Sequence, residues 1–313
     1  MRPFGFREAA EFWGVAADPE VAFLLHALTG GTPEYKDLCG GAGPQSLADF
    51  DHWVRLRLLN PASVMFREGG LLPSEGTAIT NPALYASALG AISAGGGRRA
   101  AHPAAPAGRP AAVADVLDAL AGMGLIERLQ DPLNVERSVC VIVKPIVRLH
   151  QLVIAPNEPE LAAGQADRVW ARSQAIVAAR IYRPHFGSVA RQWCLRHAGD
   201  GTLGGVARGA RPTAIACREH RREHALEAVF VEDPVATGRV ISIGETNAAS
   251  GPMDAGQLRR LEHLRALLPG DRVGQPPKLL LFSRSGFTAG LVEEAAGRSD
   301  VELISLERVY EGV

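Results

Sequence analysis

Apolar residues recur at helical spacing through the first third of the chain, separated by residues that start and stop helices. Phe6 to Trp13 is a short amphipathic segment closed by Gly14. Asp18-Pro19-Glu20 supplies an N-cap, a proline at the first helical position and an early acid. The helix it opens runs through Val21, Phe23, Leu24, Leu25 and Leu28 to the Gly30-Gly31 stop. Thr32-Pro33-Glu34 starts another turn, and Ser46 to Asp49 caps a helix carrying Phe50, Trp53, Val54, Leu56 and Leu58. Asn60-Pro61 is expected to stop that helix and cap the next, and Asn81-Pro82 opens one through Leu84, Tyr85, Leu89 and Ile92. Residues 95–110 are rich in Gly, Ala and Pro, and prolines at 103, 106 and 110 disfavour a helix, so a loop is expected there.

Val113, Val116, Leu117 and Leu120 return to helical spacing, and Gly124 ends that run. Leu125 to Leu129 and Ser138 to Val143 read as strands joined by a turn at Asp131-Pro132. Helix, helix and hairpin is the order of a winged helix, with the middle helix displaced by the Pro/Ala loop. A small packing domain that touches no DNA explains the same pattern. Val147 to about His197 is helical again, with Trp170, Ile176, Val177 and Ile181 on its apolar face. Within it, Pro184 to His197 forms a separate helix that turns Phe186, Val189, Ala190, Trp193 and Cys194 inward.

The period then changes. Thr213–Cys217, Ala225–Val231 and Val240–Glu245 read as strands, the last two joined by a loop holding Asp233-Pro234 and Gly238. Asp254 caps a helix through Leu258, Leu261, Leu264 and Leu268. Lys278–Ser283 is a continuous apolar strand of the buried type, Thr288 caps a helix ending near Gly297, and Val301–Ile304 is a last strand. The expected architecture is a multi-domain α/β protein. It has a helical region at 1–80, a winged-helix-like module at 81–150 and an α/β domain at 151–313.

Composition narrows this picture. A chain of 313 residues with 47% apolar and 21% charged residues can bury one or two cores, which excludes a mainly disordered protein. No apolar run approaches the roughly 18–20 residues of a membrane span, and Met1 to Arg7 has no apolar leader, so a cytoplasmic chain without a membrane partner is expected. A net charge of −1 gives no electrostatic signal for nucleic acid. Lys36, Lys144 and Lys278 are the only lysines and the other thirty cations are Arg, which points to a GC-rich genome. None of the three lysines follows a glycine, so the chain lacks the Gly-Lys-Ser/Thr of a P-loop and no ATP site of that kind is expected. Cys39, Cys140, Cys194 and Cys217 are far apart and are expected to be reduced and partly buried.

The element order from Pro184 is that of the PD-(D/E)xK nuclease core. That chemistry places an acid on one strand and Glu-x-Lys on its neighbour, so that two carboxylates hold Mg²⁺ and the lysine stabilises the developing charge. Glu227 and Glu245 take the acid positions here, as catalytic and metal-ligand candidates, and Asn247 stands where the lysine belongs. Losing one such electrostatic contact costs about 10²–10³ in rate. A degenerate site is therefore expected, with solvent-exposed glutamates as the plainer reading. Arg218, Arg221, Arg222 and Gln257 are the nucleic-acid candidates, and Arg221 is a candidate to replace the lysine, although a solvated basic turn accounts for the arginines. Cys217, His220 and His224 have a spacing that suggests metal, but tetrahedral zinc wants four ligands and the neighbouring sequence supplies three. Ser283 and Ser285 are read as turn-capping hydroxyls, with anion docking as the alternative.

Lys278-Leu-Leu-Leu-Phe-Ser-Arg-Ser-Gly-Phe-Thr288, followed by Val301 to Arg308, resembles the C-terminal domain of archaeal-type AAA ATPases, which are frequent in high-GC actinobacteria. Phe6 to Trp13 and Gly30 to Tyr35 resemble the helical lid that follows their ATPase core, and the middle of the chain resembles their winged helix. The resemblance implies a lid, a winged helix and a restriction-endonuclease-like domain without the nucleotide-binding core, through a truncated gene, a late start or a split arrangement. Three positions depart from the family pattern. Phe186 is followed by Gly187 where Glu is usual, Ala225-Leu226-Glu227 replaces a strand motif ending in Asp, and Gly244-Glu245-Thr246-Asn247 replaces Gly-Glu-x-Lys. The resemblance therefore implies an inactive nuclease-like protein that docks to DNA or to an ATPase partner. The alternatives are an active Mg²⁺-dependent nuclease, or ATP binding ascribed by inheritance from full-length relatives.

Overall fold

Most of the expected N-terminal helices form beside the residues that cap them. The computed structural model describes residues 3–72, 82–97, 110–134, 136–233 and 238–312. Helix α1 (Phe6–Trp13) ends on Gly14 in the left-handed region at φ 75. Helix α2 (Pro19–Thr29) is capped by the Asp18 carboxylate, which accepts from the amides of Glu20 and Val21. After α3 (Glu34–Leu38), Ser46 and Asp49 form a reciprocal capping box on α4 (Leu47–Arg57). Helix α5 (Val64–Leu71) starts one turn later than expected, with Ser63 as its N-cap. The Asn60 carboxamide instead closes a turn on the Ala62 amide, 3.0 Å away.

Helices α6 (Pro82–Ala91) and α7 (Pro110–Gly122) flank the Pro/Ala segment, of which residues 98–109, like Asn81, lie outside the described residues. A two-stranded sheet of β1 (Ile126–Gln130) and β2 (Ser138–Ile142) follows. Then come α8 (Pro145–Leu149), α9 (Glu158–Ala162) and α10 (Ala166–Val177), with π turns at His150–Ile154 and Ala178–Tyr182.

The chain divides into two compact units, one of residues 1–128 with 138–182, the other of residues 129–137 with 183–313. Residues 151–182 therefore group with the first unit, and the long run of the α/β unit starts at Arg183. The helices between are held in the first unit by their apolar faces, with Val153, Ile154, Val169, Trp170 and Val177 buried. The Trp170 indole also donates to Asp51 of α4 at 2.8 Å. Ile176, expected on the apolar face, is 38% exposed. A Cβ on Gly69 of α5 would lie 2.5 Å from the Ile146 carbonyl oxygen, so that glycine lets α5 and α8 meet backbone to backbone.

The second unit opens with α11 (Arg183–Arg196) and α12 (Asp200–Leu203). Strands β3 (Gly209–Cys217), β4 (Arg222–Val231), β5 (Val240–Asn247), β6 (Lys278–Ser283) and β7 (Val301–Ser305) form one sheet in that order. The β3/β4 and β4/β5 pairs are antiparallel, and β5/β6 and β6/β7 are parallel. Helices α13 (Ala255–Ala266) and α14 (Ala289–Ala295) provide the crossovers that parallel pairing requires, and α15 (Leu306–Glu311) ends the chain. One sheet face packs Leu226, Val229, Ile243, Leu279 and Leu281 against Leu258, Leu261 and Leu264 of α13. On the other, Trp193 of α11 meets Phe282 edge to face at 6.0 Å. A chain buried on both faces explains the unbroken apolar run of β6.

The β3/β4 ladder carries a bulge that matters for the site. Arg211 pairs with Val229 and Thr213 with Leu226, so β4 holds one extra residue at Glu227-Ala228. Leu226 and Val229, three apart, consequently face the same core. Among the described residues, no helix is long and apolar enough to cross a membrane.

Candidate functional site

Glu227 and Glu245 lie on neighbouring antiparallel strands, beside the Ala228–Gly244 pair. Their carboxylates are directed differently. Alternation along β5 puts Glu245 on the Ile243 side, toward α13, where its Oε2 forms an ion pair with the Arg260 guanidinium. Arg260 also donates to the Ala225 carbonyl at 2.7 Å. The bulge turns Glu227 to the other side. Its Oε2 lies 3.2 Å from where a Cβ on Gly187 of α11 would stand, and its Oε1 is 3.7 Å from Arg183 of the same helix. The Arg191 guanidinium, also on α11, donates to the Glu227 carbonyl at 2.9 Å.

Burial pushes the Glu245 carboxyl up from the usual carboxylate range, Arg260 pulls it back, Glu227 adds a smaller upward push and Arg183 a smaller downward one. Glu245 therefore stands in the fields of both Arg260 and Arg183 as well as of Glu227. Asn247, in the lysine position, is spent on its own loop: its side chain accepts from the Ala249 amide and donates to the Gly251 carbonyl, both at 3.0 Å. The cation beside Glu245 is Arg260 and not Arg221, the candidate expected from the sequence. Arg221 sits in the β3–β4 turn at φ 50. Arg260 of α13 thus pairs with Glu245, and Arg183 of α11 lies 3.7 Å from Glu227.

The remaining sequence candidates separate. The Gln257 carboxamide accepts from the Asp254 amide at 3.0 Å in a capping box on α13, which accounts for it without nucleic acid. Arg218, Arg221 and Arg222 are exposed around the β3–β4 turn. The Ser285 hydroxyl donates to the Ala249 carbonyl at 3.0 Å, which fits the turn reading, whereas Ser283 is fully buried.

Among the described residues, four metal-ligating side chains gather at that same turn. Cys217 ends β3, His220 lies in the turn and His224 is on β4. Cys217 and His224 share the sheet face of Ile215 and Leu226, which looks toward α13. That helix supplies His263, one turn beyond Arg260. One ligand atom from each of the four side chains lies within 4.8 Å of the other three. The Cys217 sulfur is 3.2 Å from His220 Nδ1 and 3.3 Å from His263 Nε2. The His220 ring stands edge-on to those of His224 and His263, with centroids 5.2 and 5.1 Å away. His224 is buried, and desolvation followed by the Arg222 charge lowers its pKa.

The first three of these residues are visible in the sequence as Cys-x-x-His-x-x-x-His. The fourth lies 39 positions after His224 in a helix whose leucine spacing says only that it packs. Its one local signal is a histidine at the edge of the apolar stripe. Cys39, Cys140 and Cys194 are of a different kind: burial raises each thiol, Cys39 to about 12. No family of proteins, no curated protein and no solved structure matches this chain.

Proposed function

We propose that the chain is a non-catalytic protein of nuclease-like architecture that docks to DNA or to an ATP-binding partner. The observation that carries this reading is the separate pairing of the two acids, Glu245 to Arg260 of α13 and Glu227 toward Arg183 of α11, with Asn247 closed into a loop. A nuclease of this class needs both carboxylates on one metal and a cation free to meet the phosphorane. The order of the sheet, with antiparallel and parallel pairing on the two sides of β5, supports the architectural half of the reading. The exposed Arg218, Arg221 and Arg222 supply the guanidinium groups that a phosphate backbone or an acidic partner surface would meet.

The likeness of the Lys278–Thr288 stretch to archaeal-type AAA ATPases supports an ATPase as the partner class, in the cytoplasm, with any ATP bound by that partner. Incubation of the purified chain with plasmid and Mg²⁺ or Mn²⁺ tests the proposal. No cleavage is expected from the native chain or from Asn247→Lys. Metal-dependent cleavage abolished by Glu245→Ala establishes the active nuclease instead. A gel-shift titration of the native chain against Arg218→Ala/Arg221→Ala/Arg222→Ala is the test of the DNA arm, and an unchanged affinity removes it.

A further inference from the structure

We propose that Cys217, His220, His224 and His263 form a zinc site that staples the β3–β4 turn to helix α13. Four ligand atoms, from β3, the β3–β4 turn, β4 and α13, converge within 4.8 Å of one another. Zinc bound at about 2.3 Å to sulfur and about 2.0–2.1 Å to nitrogen sets tetrahedron edges of roughly 3.4–3.6 Å. The two sulfur–imidazole edges, at 3.2 and 3.3 Å, already lie near that value.

A second observation points to a ligand. The His224 Nε2 atom is buried and makes no hydrogen bond. A buried polar atom left unsatisfied costs about 1–3 kcal/mol, and metal coordination removes that cost. A purely hydrogen-bonded cluster would leave this nitrogen unused.

The donor set selects the metal. One thiolate and three imidazoles are soft to borderline ligands, which suit Zn²⁺ and not Mg²⁺ or Ca²⁺. Four protein ligands close the coordination sphere and leave no position for water or substrate, so the site is structural. Its mechanical effect follows from its position. His263 follows Arg260 by one helical turn, and side chains three apart on a helix lie side by side. Fixing His263 therefore fixes the part of α13 from which Arg260 reaches Glu245 and the Ala225 carbonyl. It also sets the conformation of the turn that carries Arg218, Arg221 and Arg222. None of this depends on the docking reading above, and it stands if that reading fails.

Titration of the metal-free full chain with Co²⁺ and Zn²⁺, followed by absorbance and by metal analysis after dialysis, tests the assignment. Expected are a single retained equivalent, a thiolate-to-Co²⁺ charge-transfer band, and the intense d–d bands of a tetrahedral site, all displaced by Zn²⁺ and untouched by Mg²⁺. Cys217→Ser abolishes the charge-transfer band, and His263→Gln weakens Zn²⁺ retention at least tenfold. Absence of the band in the native chain overturns the proposal, as does full retention of metal in both variants. Should the variants fail to fold, alkylation of the native chain decides: Zn²⁺ shields Cys217 from a maleimide in peptide mass spectra, and equal labelling with and without Zn²⁺ overturns the site.

Discussion

His26 is a histidine whose surroundings oppose its charge. Desolvation holds it at about 4, against an ordinary value of 6.5. Between those values the unfolded chain takes up a proton that the folded chain refuses, so unfolding gains from every drop in pH. The stabilisation is complete above pH 6.5 and disappears as pH falls toward 4. Urea titrations at stepped pH are expected to show His26→Gln losing less stability than the native chain across that window; parallel slopes would remove His26 as the cause. Arg260 is a second residue with a definite expectation. Replacing it by Ala leaves the largely buried Glu245 carboxylate without its guanidinium and should cost about 1–3 kcal/mol in urea unfolding at pH 7. Glu245→Gln in the same background should recover part of that loss, because no charge then remains to be compensated.

At the scale of elements, packing and close approach decide more than propensity. Leu261 of α13 is fully buried against the sheet, and Leu261→Ala should cost roughly 2–5 kcal/mol through the cavity it leaves. Gly69→Ala should also destabilise, because its Cβ would fall 2.5 Å from the Ile146 carbonyl oxygen and 2.6 Å from the His150 Cβ. A melting temperature equal to that of the native chain would mean that α5 and α8 separate freely. Elements whose signals are local were legible in the sequence. The Asp18 cap, the Ser46–Asp49 box and the Gly14 stop each act within one turn, so a short window contains the cause. The β4 bulge was not legible. It exists because β3 and β4 must keep Leu226 and Val229 on one core face, a condition set by the partner strand. That extra residue sends Glu227 toward α11, which strand periodicity alone could not reveal.

At the scale of the whole chain, the two compact units do not follow sequence order. Residues 129–137 belong with the sheet unit. There the Thr213 hydroxyl, fully buried, donates to Asp131 at 2.7 Å, and Arg137 pairs with Glu223 at 2.7 Å. A fragment of residues 183–313 would lose the Thr213–Asp131 hydrogen bond and the Arg137–Glu223 pair. It is expected to unfold at lower urea than a fragment of residues 129–313, and equal midpoints would show that the hairpin tip adds nothing.

The sequence by itself determined most of the helix starts and stops, the order of strands after Arg183, the lack of a P-loop lysine and the Cys217-x-x-His220-x-x-x-His224 spacing. Each of these is written in residues a few positions apart, where backbone geometry and capping act. Only the tertiary structure decided that Glu227 and Glu245 face different helices, that Arg260 is the cation beside Glu245, and that His263 joins Cys217, His220 and His224. Those facts depend on which strand face meets which helix, and that is settled by burial of apolar surface across the whole sheet, a long-range condition that no local window of the chain contains.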